Sequence, residues 1–303
     1  MSDTITNLPA SVRSRLRNIS KESGHPFQEI LQYYVLERFL YRLSKSRYCH
    51  QFILKGGLIF FGWGVALRRP TRDIDFRGYI TNDIEDLEQI VREICDEEVE
   101  ADGLVFDPES VRGEETQVAA GYQGIRIQFW GYLGNAKVHM QIDIGFKDEI
   151  TPDPISIKYP QLLDFPAPEL KGYPPETVIA EKLEAMVALG EINSRMKDFY
   201  DIWLLAQEKA FDGAVLKKAI EMTFHTRDTP FPEGIPPAFT QEFARDKQSQ
   251  WGAFYGKIEQ ALEQGTDFES VIQELSNFLW PTIEAIVMDK EFSKRWIPGK
   301  GWR

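Results

Sequence analysis

The sequence predicts a mixed α/β (α+β) domain over residues 1–172 followed by a helical C-terminal domain over 173–303. Three observations carry that expectation. Ile125 to Trp130 and Val138 to Phe146 alternate apolar and polar residues with the period of a strand. Amphipathic helical stripes precede them, and from Glu176 onward the apolar spacing is nearly all helical. Between the two regimes lies a proline-rich stretch, Thr151 to Pro175, which reads as irregular linker.

Taken in order, Phe27, Ile30, Leu31, Tyr34, Val35, Leu40 and Leu43 largely follow the i, i+3, i+4 rule, which predicts a core-facing helix over 27–45. Phe52, Ile53 and Leu54 lead into Lys55-Gly56-Gly57, the edge of a strand or helix broken by a glycine pair. Residues 58–67 are apolar and predict a helix that ends before Pro70. Ile74 to Tyr79 alternates as a strand, and Ile84, Leu87, Ile90, Val91 and Ile94 mark a second amphipathic helix. In the strand over 138–146, Val138, Met140, Ile142, Ile144 and Phe146 share one face, and His139, Gln141 and Asp143 share the other.

Composition narrows the function. With 43% hydrophobic and 27% charged residues, the 303-residue chain can bury a core. It has no apolar run long enough to span a bilayer and no apolar h-region at its N-terminus, so neither a membrane protein nor a secreted one is expected. Cys49 and Cys95 give neither a disulfide framework nor a zinc cluster, and a reducing cytoplasm is the expected location. The net charge of -12 opposes nucleic-acid binding over the whole surface, because phosphate affinity comes from Lys and Arg. Any such contact must use a local patch: Arg68, Arg69, Arg72 and Arg77, or Lys290, Lys294, Arg295, Lys300 and Arg303. Trp280, Trp296 and Trp302 could stack bases but are expected to pack in the interior.

The chemistry concentrates in Arg69-Pro70-Thr71-Arg72-Asp73-Ile74-Asp75-Phe76. On a strand Asp73 and Asp75 point the same way, and a bound cation relieves the repulsion between such carboxylates. Alone, Asp-x-Asp also fits a solvated edge strand. Upstream, Gly56 and Gly57 can let backbone amides approach phosphate oxygens, and Asp143 adds a third carboxylate. His139 shares that polar face but is not expected to bind metal.

In their order and spacing, Lys55-Gly56-Gly57, Arg69-x-Thr71-x-Asp73-x-Asp75 and the Asp143 strand resemble the polymerase-β-like nucleotidyltransferase superfamily. Within it the chain is most similar to the AbiEii/AbiGii-type toxins of type IV toxin–antitoxin systems, which include the MenT toxins. Two more segments carry the likeness. The run from Pro175 to Leu183 looks like that family's Glu-Lys helix, and Arg195-Met196-Lys197-Asp198-Phe199-Tyr200-Asp201 looks like its Arg-x-Lys-Asp-x-x-Asp motif. The resemblance covers about residues 50 to 206, and the C-terminal hundred residues match no motif.

The resemblance implies a mixed-sheet nucleotidyltransferase domain that uses Mg2+, with Mn2+ as the alternative ion. Asp73, Asp75 and Asp143 would hold the metal, and Lys55, Gly56, Gly57, Thr71 and Lys182 would contact the nucleoside triphosphate. Asp198 would complete the catalytic set, in a cleft between the two domains. The implied acceptor is RNA, such as a tRNA 3′ end, and the implied partner is a separately encoded antitoxin. One departure stands out: many superfamily members carry Gly-Ser at the phosphate turn, whereas here Leu58 follows Gly56-Gly57. More binding then falls to backbone amides, or to the Thr71 hydroxyl.

The helical motifs also read on their own terms. Lys182 lies on the apolar stripe of Val178, Ile179, Leu183 and Met186, where an ammonium needs an anion or a route to water. Asp198 and Asp201 share a helix face, so Asp198 could pair with Lys182, and Asp201 could buttress Arg195 or Lys197. Two alternatives remain open from the sequence: transfer to a small molecule such as an antibiotic, and a nucleotide-binding module without activity.

Overall fold

The computed structural model describes residues 7–66, 69–117, 123–258 and 266–303, so Arg68 lies outside the described residues. The chain divides into two compact units, Met1–Lys147 with Ile155–Gly172, and Asp148–Pro154 with Tyr173–Arg303.

The first unit begins with helices α1 (Leu8–Ser23) and α2 (Phe27–Lys45). Asn7 caps α1 by accepting from the Ala10 amide, and Gly24 ends it at φ 74°, a left-handed conformation that glycine takes without strain. Then come β1 (Phe52–Lys55), α3 (Ile59–Gly62), β2 (Ile74–Gly78), α4 (Ile84–Cys95), β3 (Leu104–Gln117), β4 (Gln123–Leu133), β5 (Ala136–Gly145), β6 (Ile155–Lys158) and β7 (Glu169–Gly172). The strands form one mixed sheet in the order β3-β4-β5-β2-β1-β7-β6. The pairs β2/β5 and β1/β7 are parallel, and the remaining pairs are antiparallel.

The periodicity of β5 produces the expected two faces: Val138, Met140, Ile142 and Ile144 are buried, whereas His139, Gln141 and Asp143 are not. Helix α2 is buried nearly all round, charged residues included. Arg42 pairs with Asp102 at 2.8 Å and 3.2 Å, and Asp102 also accepts from the Leu104 amide. A buried ion pair satisfied in this way holds the chain entering β3 against α2.

Two sequence expectations are corrected, and one strand was not anticipated. Among the described residues, the helix predicted over 58–67 is only the four-residue α3, because Gly62 and Gly64, the latter at φ 71°, release the chain. The proline-rich linker contains two sheet strands, β6 and β7, with the prolines flanking them and leaving their ladder intact. Strand β3 was not legible, since its pairing with β4 shifts between Asp107 and Arg112, around Pro108, and its alternation breaks there.

The second unit is helical apart from a small sheet. It contains α5 (Pro175–Leu189), α6 (Met196–Glu208), β8 (Phe211–Asp212), α7 (Gly213–Thr226), α8 (Gln241–Tyr255), α9 (Phe268–Val287), β9 (Arg295–Ile297) and β10 (Gly301–Trp302). The three short strands pair in the order β10-β9-β8, which an all-helical reading misses. The tryptophans there are structural: Trp296 donates to the Ala206 carbonyl, Trp302 to the Phe278 carbonyl, and both rings pack on Phe278. Arg227 is buried among carboxylates, bonding Asp148 at 2.8 Å and Glu184 at 2.7 Å with Glu181 at 3.5 Å. These contacts tie the 148–154 segment to the helices.

Candidate active site

Strand register assembles the polar face of the first unit. Lys55 on β1 stands opposite Asp75 on β2, Asp75 opposite Asp143 on β5, and Asp143 opposite Arg126 on β4. Cross-strand partners share a face, so four strands contribute one row reading cation, anion, anion, cation. Asp73, one residue before β2, joins it: carboxylate oxygens of Asp73, Asp75 and Asp143 lie within 4.8 Å of one another. Three clustered carboxylates repel each other, and oxygen donors at this spacing suit a hard divalent cation. All three are half-buried.

Arg126 answers part of that repulsion. Its Nε and Nη2 donate to the two oxygens of Asp143 at 2.8 Å and 2.9 Å, and Gln141 donates to the same carboxylate at 3.2 Å. The hydrogen bonds to Asp143 push the Arg126 pKa above its ordinary value. Sequence reasoning missed Arg126 because nothing local reveals which residue of a neighbouring strand will face Asp143.

The glycine pair has a packing reason as well as the expected one. A Cβ on Gly56, which sits at φ 68°, would lie 1.9 Å from Asp75 Oδ2, and one on Gly57 would lie 2.3 Å from Thr71 Oγ1. Only glycines let this turn close against the acidic residue and the hydroxyl. With α3 four residues long, no helix N-terminus of useful length stands behind them. Thr71 is itself buried, its amide donating to the Tyr33 hydroxyl, which in turn donates to Glu29. Burial, and then the charge of Glu29, push the Tyr33 pKa well up, so the hydroxyl stays a donor. Arg69 approaches Thr71 at 3.4 Å, Arg72 is exposed, and Arg77 lies 4.0 Å over the Tyr79 ring.

Beside the carboxylates, a cavity of about 550 Å³ is lined by residues that include Glu29, Gln32, Thr71, Asp73, His139 and Gln141. His139, set aside in the sequence, forms part of this wall.

In the second unit, Lys182 on α5 bonds Asp198 at 2.5 Å and Asp201 at 2.9 Å, both on α6. The stripe position of Lys182 is thus answered by two buried acids of the following helix. Asp201 meets Lys182 itself, where the sequence suggested Arg195 or Lys197.

A family model described as nucleotidyl transferase AbiEii toxin, type IV toxin–antitoxin system, matches residues 38–274. The chain belongs to the AbiEii family. It is therefore a nucleotidyltransferase of the toxin class, and membership implies a nucleotide substrate and an antitoxin partner. Among solved structures, a protein from H. pylori described as a nucleotidyltransferase is similar at 13% identity with a TM-score of 0.48, covering 88% of this chain and 99% of its own. JHP933 from Helicobacter pylori is similar at 13% identity and a TM-score of 0.46, covering 86% and 93%. No curated protein matches. No helix among the described residues of this AbiEii protein is long and apolar enough to cross a membrane.

Proposed function

We propose that this AbiEii protein transfers a nucleoside monophosphate from a nucleoside triphosphate to a hydroxyl of RNA, such as a tRNA 3′ end, using Mg2+ or Mn2+ held by Asp73, Asp75 and Asp143. The observation that carries the reading is the carboxylate triad, with its oxygens within 4.8 Å and a cation at each end of the row. When bound, the divalent ion neutralises phosphate charge and makes the acceptor hydroxyl more acidic.

The protein's own residues then have separate tasks. Gly56 and Gly57 bring backbone close to the triad with no side chain in the way, the place for triphosphate oxygens, and the buried Thr71 supplies a hydroxyl beside them. Lys55, in register with Asp75, adds positive charge on the same side. Arg126 orients Asp143. In the reaction the acceptor oxygen bonds to the α-phosphorus while the bond from that phosphorus to the bridging oxygen breaks. Pyrophosphate leaves, and the hydroxyl proton departs toward the Asp143 carboxylate. To Lys182, oriented by Asp198 and Asp201, we assign neutralisation of phosphate charge as it develops. The cytoplasm supplies both substrates, and a separately encoded antitoxin restrains the activity.

The test is incubation with each labelled nucleoside triphosphate and total RNA, with and without Mg2+. Metal-dependent labelling of an RNA end supports the reading. A second reading, transfer to a small molecule, draws on the net charge of -12, since such an acceptor needs no basic track. Labelling of aminoglycosides and not of RNA selects it. Absence of metal-dependent nucleotide binding points instead to a module without activity.

A further inference from the structure

We propose that the cavity beside Asp73 receives the terminal nucleoside of the RNA acceptor and favours a base that carries an exocyclic amine. This rests on the RNA reading above and adds where the acceptor lies and what recognises it. The Gly56–Gly57 turn leaves β1, on one side of β2, whereas His139 and Gln141 stand on β5, on the other. Asp73 leads into β2 between them and lines the cavity. Thr71 packs against Gly57 and also lines the cavity, so the donor triphosphate and the cavity's occupant meet at Thr71 and Asp73, the donor on the β1 side and the acceptor on the β5 side, as a transfer reaction requires.

The lining argues against a polyphosphate. It carries Glu29 and Asp73 against a single arginine, Arg72. Phosphate sites gather cations and amide donors, and this wall does the reverse. Gln32 Nε2 donates to the backbone carbonyls of Arg72 and His139 at 3.3 Å and 3.2 Å, and Gln141 Nε2 donates to Asp143 at 3.2 Å. Gln32 spends both of its N–H groups on the fold and Gln141 one of its two, so each glutamine has its carbonyl oxygen left for a ligand. Together with the two carboxylates they make an acceptor-rich wall, which selects a ligand rich in donors. A terminal nucleoside brings ribose hydroxyls, and adenine, cytosine and guanine each add an exocyclic amine. Uracil offers only its ring N–H. The exposed His139 ring, 5.0 Å from Trp130, supplies an aromatic face of the kind that holds unpaired bases. A volume of about 550 Å³ accommodates one nucleoside with its hydration.

The experiment measures fluorescence anisotropy of short oligoribonucleotides that differ only in their 3′ residue, bound to the Asp75→Asn protein so that no transfer occurs. Ends carrying an amine are expected to bind about fivefold more tightly than a uridine end, the value of one net hydrogen bond. In that background Gln32→Met and Gln141→Met bring the ratio toward one. His139→Ala, at an exposed position that leaves folding intact, weakens all four ends by a common factor. Nucleoside triphosphate affinity stays unchanged in the Gln32→Met and His139→Ala variants, whose side chains bond no carboxylate of the triad. Equal affinity for the four ends, or a ratio that survives both methionine variants, overturns the proposal. So does a fall in triphosphate affinity in Gln32→Met or His139→Ala, which would assign the cavity to the donor nucleotide. If the unmodified protein labels no RNA while the end preference and its loss are observed, the transfer reading fails and the cavity assignment stands.

Discussion

Arg126 holds both carboxylate oxygens of Asp143 from the adjacent strand, at 2.8 Å and 2.9 Å. The same carboxylate belongs to the acidic triad, so a fixed guanidinium and an incoming cation draw on one group. Arg126→Ala removes a positive charge beside the cation position and leaves Asp143 with the Gln141 hydrogen bond but no ion pair to Arg126. Mn2+ affinity without nucleotide is expected to rise by roughly three- to tenfold. The melting temperature of the metal-free variant is expected to fall, because Lys55 is then the one cation left in the row to offset the triad's repulsion. Calorimetric titration and thermal melting with and without Mn2+ check both. Weaker Mn2+ binding would mean that Arg126 serves the metal by orienting Asp143 more than it opposes it by charge.

Asp73→Asn and Asp75→Asn are each expected to abolish transfer while the fold persists. Losing one charge from the cluster should slightly raise apo stability and remove the stabilisation that Mg2+ gives the parent protein. Retained transfer in either variant would be incompatible with a metal held by the triad. Gly56→Ala should be costlier to the fold, because φ 68° disfavours alanine and its Cβ would meet Asp75 Oδ2 at 1.9 Å. A stability loss of about 1–3 kcal/mol in chemical denaturation, together with lost transfer, is expected.

Lys182→Ala has a structural consequence that the apolar-stripe argument alone does not foresee. It leaves Asp198 and Asp201, 5% and 0% exposed, without the ammonium between them. Breaking a buried pair in this way is expected to lower stability by about 3–5 kcal/mol. Lys182→Arg keeps the charge and recovers part of that stability. Transfer measured on the folded fraction of the arginine variant separates the two roles: a rate within a few-fold of the parent would leave Lys182 a purely structural cation.

Arg72 is exposed in the segment that leads into Asp73, and it lines the cavity. If RNA is the acceptor, Arg72→Ala should lessen the slope of log affinity against log salt by about one unit, with nucleotide binding unaltered. An unchanged slope would move attention to the exposed group Lys290, Lys294, Arg295, Lys300 and Arg303.

What the sequence made legible follows from how local each signal is. Helix α2 and strand β5 carry their periods within themselves, and Asp73, Asp75 and Asp143 lie on segments whose alternation is plain. Pairing is not local. That Arg126 faces Asp143, and Lys55 faces Asp75, depends on the register of separate strands. Strands β6 and β7 hide among prolines, and β3 hides behind the shift at Asp107. The 3-stranded sheet of β8, β9 and β10 is built from pieces too short to show a period. Gly56 and Gly57 were conspicuous, but the carboxylate and hydroxyl against which they pack needed coordinates to see.

The course of the backbone through residues 148–172 restricts how such a protein can change over time. Asp148–Pro154 belongs with the helical unit and Ile155–Gly172 with the sheet unit, so the chain passes from one to the other at three peptide bonds. A single recombination breakpoint at residue 172 would set the Asp148 and Thr151 of one parent against positions 227 and 177 of the other. Exchange of one half between relatives must therefore carry the short 148–154 insert with it, or find compensating substitutions at Arg227.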